Sequence, residues 1–187
     1  TKERPLANGK VSLKEAWILL ILMLFFSLFI VLSIPQESRN LCLLLSSLSL
    51  PFILLYPSAK RWFQYPQLIL SICWGFSVLI PWAASESSLA GGVTLIFCWL
   101  ATILWTFGFD TVYAMADESE DKVIGLNSSA ISLGGNSLKT VSLCYFLTCI
   151  FLALAAFKAN LGLIYWPFWL ITTLGMQREV LLLLSLI

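Results

Sequence analysis

The chain has 187 residues, 59% of them hydrophobic and 11% charged, with a formal net charge of +1 and a mean hydropathy of +0.91. Soluble domains carry about a quarter charged residues and an apolar share near half, so this composition excludes an ordinary water-soluble domain and makes the bilayer the solvent. The few charges sit in short segments between apolar runs and form no basic stripe, which leaves no footprint for nucleic acid.

In chain order, Thr1 to Lys14 is a polar stretch without an initiator methionine or a signal-type leader, and it reads like an internal loop. Six apolar runs follow, at about Ala16 to Ile34, Leu41 to Tyr56, Leu68 to Ala84, Leu89 to Phe109, Leu138 to Phe157 and Leu161 to Met176. Each is bounded by Pro, Gly, Ser or charge. A helix needs roughly 20 apolar residues to cross the hydrocarbon core, so the expectation is an all-α, multi-pass transmembrane bundle with six helices. Continuous apolarity, in place of period-2 alternation, excludes an outer-membrane barrel. Val180 to Ile187 is a last apolar run, too short to span alone.

Five cysteines (Cys42, Cys73, Cys98, Cys144, Cys149) lie in apolar stretches with no C-x-x-C spacing, and histidine is absent. Zinc and redox motifs have no support, and packing is the plain reading. Trp17, Trp62, Trp82 and Trp166 fall near the ends of runs, where indoles anchor at the interface.

Six alternating crossings place Lys2, Arg4, Lys10, Lys14, Lys60, Arg61, Lys122, Lys139 and Arg178 on one side and leave Arg39 and Lys158 on the other. Cytoplasmic loops retain Lys and Arg, so the side holding Thr1 to Lys14, Pro57 to Pro66 and Asp110 to Ser137 is expected to be cytoplasmic. Those are also the longest and most polar segments, and any chemistry belongs there.

Half of the ten carboxylates crowd into Asp110, Asp117, Glu118, Glu120 and Asp121. On a helix continuing through this stretch, offsets of seven and eleven place Asp110, Asp117 and Asp121 within roughly 40° of one another, with Glu118 and Glu120 on either flank. An acid as deep as Asp110 is costly without a partner. One reading is a solvated acidic loop. The other is a cation site: carboxylates at i and i+4 suit a hard ion, and Mg²⁺ takes one or two of them with water and phosphate completing its shell. Lys2, Arg4, Lys60 and Arg61 on the same side could hold phosphate or carboxylate oxygens, although the positive-inside rule accounts for them equally well.

The stretch Asp110-Thr-Val-Tyr113-Ala-Met-Ala-Asp117-Glu-Ser-Glu-Asp121-Lys-Val-Ile-Gly125 resembles the second aspartate-rich motif of the UbiA superfamily of membrane prenyltransferases, in its 4-hydroxybenzoate branch. Thr1-Lys-Glu-Arg4-Pro5-Leu6-Ala-Asn-Gly9 resembles the family's R-T-x-x-R-P-L-x-x-G loop and Tyr56-Pro57-Ser-Ala-Lys60-Arg61 its Y-P-x-x-K-R loop; Pro66-Gln67 followed by Trp74-Gly75 matches the next segment. The motifs occur in the family's order and cover nearly the whole chain.

The resemblance implies a bundle of about nine helices around a cavity open to lipid, with two aspartate motifs facing each other. It implies that Asp117 and Asp121 bind Mg²⁺ on a polyprenyl diphosphate, with Asp110 and Tyr113 adjacent, Lys60 and Arg61 on diphosphate or benzoate carboxylate, and Arg4 near the phosphate end. The expected reaction moves the polyprenyl group to the ring carbon of 4-hydroxybenzoate beside the hydroxyl, in ubiquinone-type quinone biosynthesis at a bacterial inner membrane or organellar equivalent. Ionisation would leave an allylic cation, for which Tyr113, Trp105 and Phe109 are aromatic candidates by position.

The family's first motif, N-D-x-x-D-x-x-x-D, precedes the R-T-x-x-R-P-L loop, so residues 1–187 read as one integral-membrane domain truncated at both ends and expected to be inactive alone. Asn127 stands where the family often has lysine; Asn127-Ser128-Ser129 also resembles a glycosylation sequon, on the wrong side of the membrane for that use. Two alternatives are a prenyltransferase for another aromatic acceptor and a cation-binding membrane transporter. The transporter calls for mid-span charges, which the six runs lack.

Overall fold

The computed structural model describes residues 5, 6 and 8–185, with the side chains of 184 and 185 excepted. All regular structure among them is helical: α1 (Leu13–Ser33), α2 (Gln36–Ala59), α3 (Pro66–Glu86), α4 (Gly92–Ala116), the short α5 (Glu118–Val123) and α6 (Ser129–Leu133), a 3₁₀ turn (Gly134–Asn136), α7 (Ser137–Lys158) and α8 (Tyr165–Ser185). The six long helices correspond to the six apolar runs. Five spans are long and apolar enough to cross a membrane: α1, α2, α3, α4 and the Ser129–Lys158 stretch that includes α7.

The sixth helix differs from expectation. Instead of stopping near Met176, α8 runs on to Ser185 through Gln177, Arg178 and Glu179. The apolar Val180 to Leu184 segment extends it as one helix, so Arg178 lies within α8 and not in a loop.

Local chemistry sets most boundaries. Ser12 caps α1 in a capping box, its Oγ accepting from Glu15 N while Glu15 Oε2 accepts from Ser12 N at 2.7 Å. Pro66 opens α3 at a position where its missing N–H costs nothing. The positive φ of Gly92 (56°) lets the chain turn into α4, and Gly125 (φ 70°) turns it after α5.

Helices α4 and α7 share the most extensive contact, followed by α2 with α3 and α3 with α4. Without a hydrophobic force between helices in lipid, close approach depends on small residues and on interhelical hydrogen bonds. A Cβ on Gly108 would lie 2.9 Å from the Tyr145 ring, and one on Gly75 would lie 2.7 Å from Trp99 Nε1. Ser38 Oγ donates to Ala84 O at 3.1 Å, tying α2 to α3, and Trp169 Nε1 donates to Cys149 O at 2.9 Å, tying α8 to α7. Cys42, Cys144 and Cys149 are buried, and all five cysteines are free, as packing residues would be. The connections at one end are short; the other end gathers the Lys60–Tyr65 turn and the segment from Asp117 to Asn136, and it is here that the site forms.

Candidate active site

Three segments converge at this end. The last turn of α2 brings Tyr56, Pro57 and Lys60, the start of α3 brings Gln67, and the end of α4 with α5 brings Asp110, Tyr113, Ala114, Asp117, Glu120 and Asp121; with Ile124 and Leu126 these line a cavity of about 550 Å³. Six of the twelve lining side chains are Asp, Glu, Lys or Gln, in a chain where charge is scarce.

Backbone geometry explains which carboxylates face it. The α4 helix ends at Ala116, and Asp117 (φ −92°, ψ 0°) joins it to α5. Asp121 N still donates to Asp117 O at 2.9 Å, so the i, i+4 relation survives the break. The break changes the flanks, however. Glu120 joins the cavity lining, whereas Glu118 pairs with Lys122 at 2.6 Å, away from the lining. The expected symmetric divergence of the two glutamates is therefore replaced by one inside and one outside.

Asp121 is the most enclosed acid, 5% exposed, and its Oδ2 lies 2.8 Å from Lys60 Nζ. Residue 60 also accepts at its backbone: Asn127 N donates to Lys60 O at 2.7 Å. The Tyr-Pro-x-x-Lys-Arg turn thus holds α5 through charge and the loop that follows it through the main chain. Asp110 accepts a long hydrogen bond from Tyr56 OH, at 3.4 Å, and is half-buried. The polar partner demanded by its depth is a phenol, not a cation.

Behind the lining, the loop carrying α5 and α6 is fastened by polar groups, two of the bonds buried and the third, from Ser132, at the surface. Gln67 Oε1 accepts from Ser129 N at 2.8 Å, Thr111 Oγ1 and Ser129 Oγ are 2.8 Å apart, and Ser132 Oγ donates to Gln64 O at 2.7 Å. Each bond joins residues distant in sequence, so the loop's position is fixed by tertiary contact.

The aromatic candidates form a ladder on α4. Trp105 and Phe109 stack with ring centroids 5.2 Å apart, and Phe109 and Tyr113 follow at 5.1 Å. Tyr113 belongs to both the polar cavity and a second, largely apolar one of about 490 Å³, lined by Trp105, Phe109, Val112 and Tyr145 together with Thr172, Gly175, Met176 and Glu179 of α8.

Asp110, Tyr113, Asp117, Asp121 and Lys60 are thus brought together. Arg61 is not: it follows Lys60 in the tight turn where Arg61 N donates to Ser58 O, and its side chain is exposed outside the lining. Arg4 lies outside the described residues. Gln67 and Glu120 are cavity residues to which no role was assigned from sequence; Gln67 stood in a matched segment, and Glu120 in the acidic stripe.

The donor set is oxygen-only, with no histidine and no thiol in the lining. Among the described residues, no three His, Cys, Asp or Glu groups converge as a self-sufficient metal site. Two carboxylates one helical turn apart on an open cavity fit a hard divalent ion that shares its shell with a phosphate ligand.

Residues 1–185 match the UbiA prenyltransferase family. The chain is 40% identical over 153 residues to a 4-hydroxybenzoate solanesyltransferase of Synechocystis, an alignment covering 81% of the chain and 50% of that protein. It is 35% identical over 166 residues to a 4-hydroxybenzoate octaprenyltransferase of Pseudomonas aeruginosa, covering 89% and 54%. A 4-hydroxybenzoate octaprenyltransferase of Neisseria meningitidis is 38% identical over 145 residues, covering 78% and 47%. The chain spans about half the length of these curated relatives, and no solved structure matches it. On the family match and these identities, the chain belongs to the UbiA prenyltransferase family.

Proposed function

We propose that this protein transfers a polyprenyl group from its diphosphate to the ring of 4-hydroxybenzoate, at the carbon beside the hydroxyl, in the formation of a membrane quinone. The observation that carries the proposal is the convergence of Asp117, Asp121, Lys60 and Asp110 on one cavity at the end of an apolar bundle, in a chain similar to three proteins named for that acceptor. The long polar loops around the cavity fit a cytoplasmic face of a bacterial inner or equivalent membrane.

In this reading Asp117 and Asp121 are the metal ligands. Mg²⁺ bound there supplies Lewis-acid stabilisation of the diphosphate leaving group. Lys60, already within 2.8 Å of Asp121, is placed to shift its ammonium onto a diphosphate oxygen. Asp110 and Tyr56 form a polar wall beside it. Below, the Trp105–Phe109–Tyr113 ladder offers aromatic faces to positive charge developing on the allylic carbon and, with the apolar cavity, keeps water from it. Arg61 and Arg4 are proposed as outer anion contacts reached from the loops.

The test is product analysis. The full-length protein carrying this chain, reconstituted with a polyprenyl diphosphate, Mg²⁺ and equal amounts of 4-hydroxybenzoate and a hydroxynaphthoate, is expected to yield prenylated 4-hydroxybenzoate, abolished by chelation. A prenylated naphthoate would move the assignment to another acceptor; no prenylated aromatic product at all would remove it.

A further inference from the structure

Gln67 is 3% exposed, yet it lines the polar cavity. Its side-chain oxygen is committed, accepting from Ser129 N at 2.8 Å across 62 positions of sequence. Because that partner is a backbone N–H, the amide must turn its oxygen toward Ser129, and the NH₂ group is left on the opposite side. The NH₂ has no partner among the described residues, and it is not sealed from open space as Gln177 Nε2 is. The open space bordering Gln67 is the cavity. A donor held in place by its own carbonyl and opening only onto the cavity is pre-aimed at an acceptor oxygen that a ligand brings there.

Other lining side chains make the identity of that acceptor narrower. The cavity wall is rich in carboxylates, and Lys60, the lining cation among the described residues, is already paired with Asp121. Gln67 is therefore an uncommitted neutral donor in an acidic pocket, fixed in direction by its bond to Ser129. We propose that Gln67 is a ligand-contacting residue: its NH₂ donates to an anionic oxygen of the bound substrate, while its carbonyl oxygen holds the loop that bears Asp117 and Asp121. The acceptor chemistry is a phosphate or carboxylate oxygen, and the inference rests on the prenyl-transfer reading above. By this route ligand binding and loop position are coupled through one planar amide.

The two oxygen sources are separable by titration of the full-length protein in detergent with inorganic pyrophosphate plus Mg²⁺, and separately with 4-hydroxybenzoate. A wild-type protein that binds neither refutes the prenyl-transfer reading itself. Given wild-type binding, Gln67→Met, which removes the donor without adding charge, is expected to raise Kd at least tenfold for one of the two ligands and to leave the other within twofold. The affected ligand identifies the acceptor. Thr111→Val loosens the same buried network behind Gln67 without touching the cavity, and it is expected to leave both affinities within twofold. Unchanged affinities in Gln67→Met overturn the contact, as does Thr111→Val reproducing its loss, which would reduce Gln67 to a loop tether. Should Gln67→Met fail to fold, Gln67→Glu keeps the acceptor for Ser129 and takes its place: a tenfold loss for one anion with the other within twofold supports the contact, whereas comparable loss for both, as added charge alone would give, or wild-type affinity for both rejects it.

Discussion

Helices α1 and α4 are both long enough to cross a bilayer, and they are used in opposite ways. The most apolar 18-residue window of α1 has a mean hydropathy of 2.8 and buries none of its residues, whereas that of α4 reaches only 1.8 and buries 28%. The α4 helix carries Gly108 at a tight crossing, Thr111 in a buried network, the aromatic ladder and Asp110. In lipid, uniform apolarity suits a surface presented to the bilayer, and the lower hydropathy of α4 goes with the side chains it packs and lends to the polar cavity. The contrast generates expectations graded by distance from the cavity.

The largest effects belong at the end of α4. Asp117→Asn and Asp121→Asn should each lower prenyl-transfer turnover by about 100-fold or more, the scale seen when a group stabilising transition-state charge is removed. Partial recovery in excess Mg²⁺ is expected if affinity for the ion is what fails. Glu118→Gln, in the same acidic stripe but paired with Lys122 off the lining, should stay within twofold. Steady-state rates of the three variants decide the matter, and a Glu118 effect equal to that of Asp117 would dissolve the inside-outside distinction.

Next comes the ion pair that seats α5. Lys60→Met leaves Asp121, 5% exposed, without its cation. Breaking a fully buried pair costs about 3–5 kcal/mol; with Lys60 about a third exposed and partly screened, about 2–3 kcal/mol is expected. Chemical denaturation of Lys60→Met, Asp121→Asn and the double variant measures the coupling. A double variant as unstable as the sum of the singles would show that the two groups do not interact.

The helices, their order and the acidic stripe are legible in the sequence because each rests on short-range pattern: apolar runs of membrane length and carboxylates at helical spacing. Glu120's inward position was not, since it depends on the backbone at Asp117 departing from the helix. Nor were Lys60 with Asp121 or Gln67 with Ser129, pairs about 60 residues apart that form only when α2 and α3 pack beside α4. The continuation of α8 through Gln177-Arg178-Glu179 was hidden for another reason: hydropathy reads a polar triplet as an end, whereas a helix tolerates it when apolar residues resume on the far side.

A smaller effect is expected in mid-helix. Gly108→Ala would set a Cβ 2.9 Å from the Tyr145 ring and 3.2 Å from Cys144 Cβ. The ring can shift but the α7 backbone behind Cys144 has less room, so a loss of about 1–2 kcal/mol is expected, read as a lower melting midpoint in detergent. Gly135, with nothing within 4 Å of its added Cβ, is the control, and an equal loss there would place the cause in backbone freedom and not in the α4–α7 crossing.

The smallest effect separates α1 from everything above. Phe25 is 63% exposed, and α1 has no buried residue, so Phe25→Leu exchanges one apolar surface for another without opening a cavity. A change below about 0.5 kcal/mol is expected, the range of surface substitutions. The same helix should nonetheless reject Phe25→Lys, because a charge near its middle must leave the hydrocarbon or drag water in, at about 2.5–3.5 kcal/mol on insertion scales. Membrane-insertion efficiency and thermal stability of the two variants should therefore diverge. If Phe25→Leu proved as damaging as Gly108→Ala, α1 would have to be a packed helix, and hydropathy would lose its value as a guide to which spans face lipid.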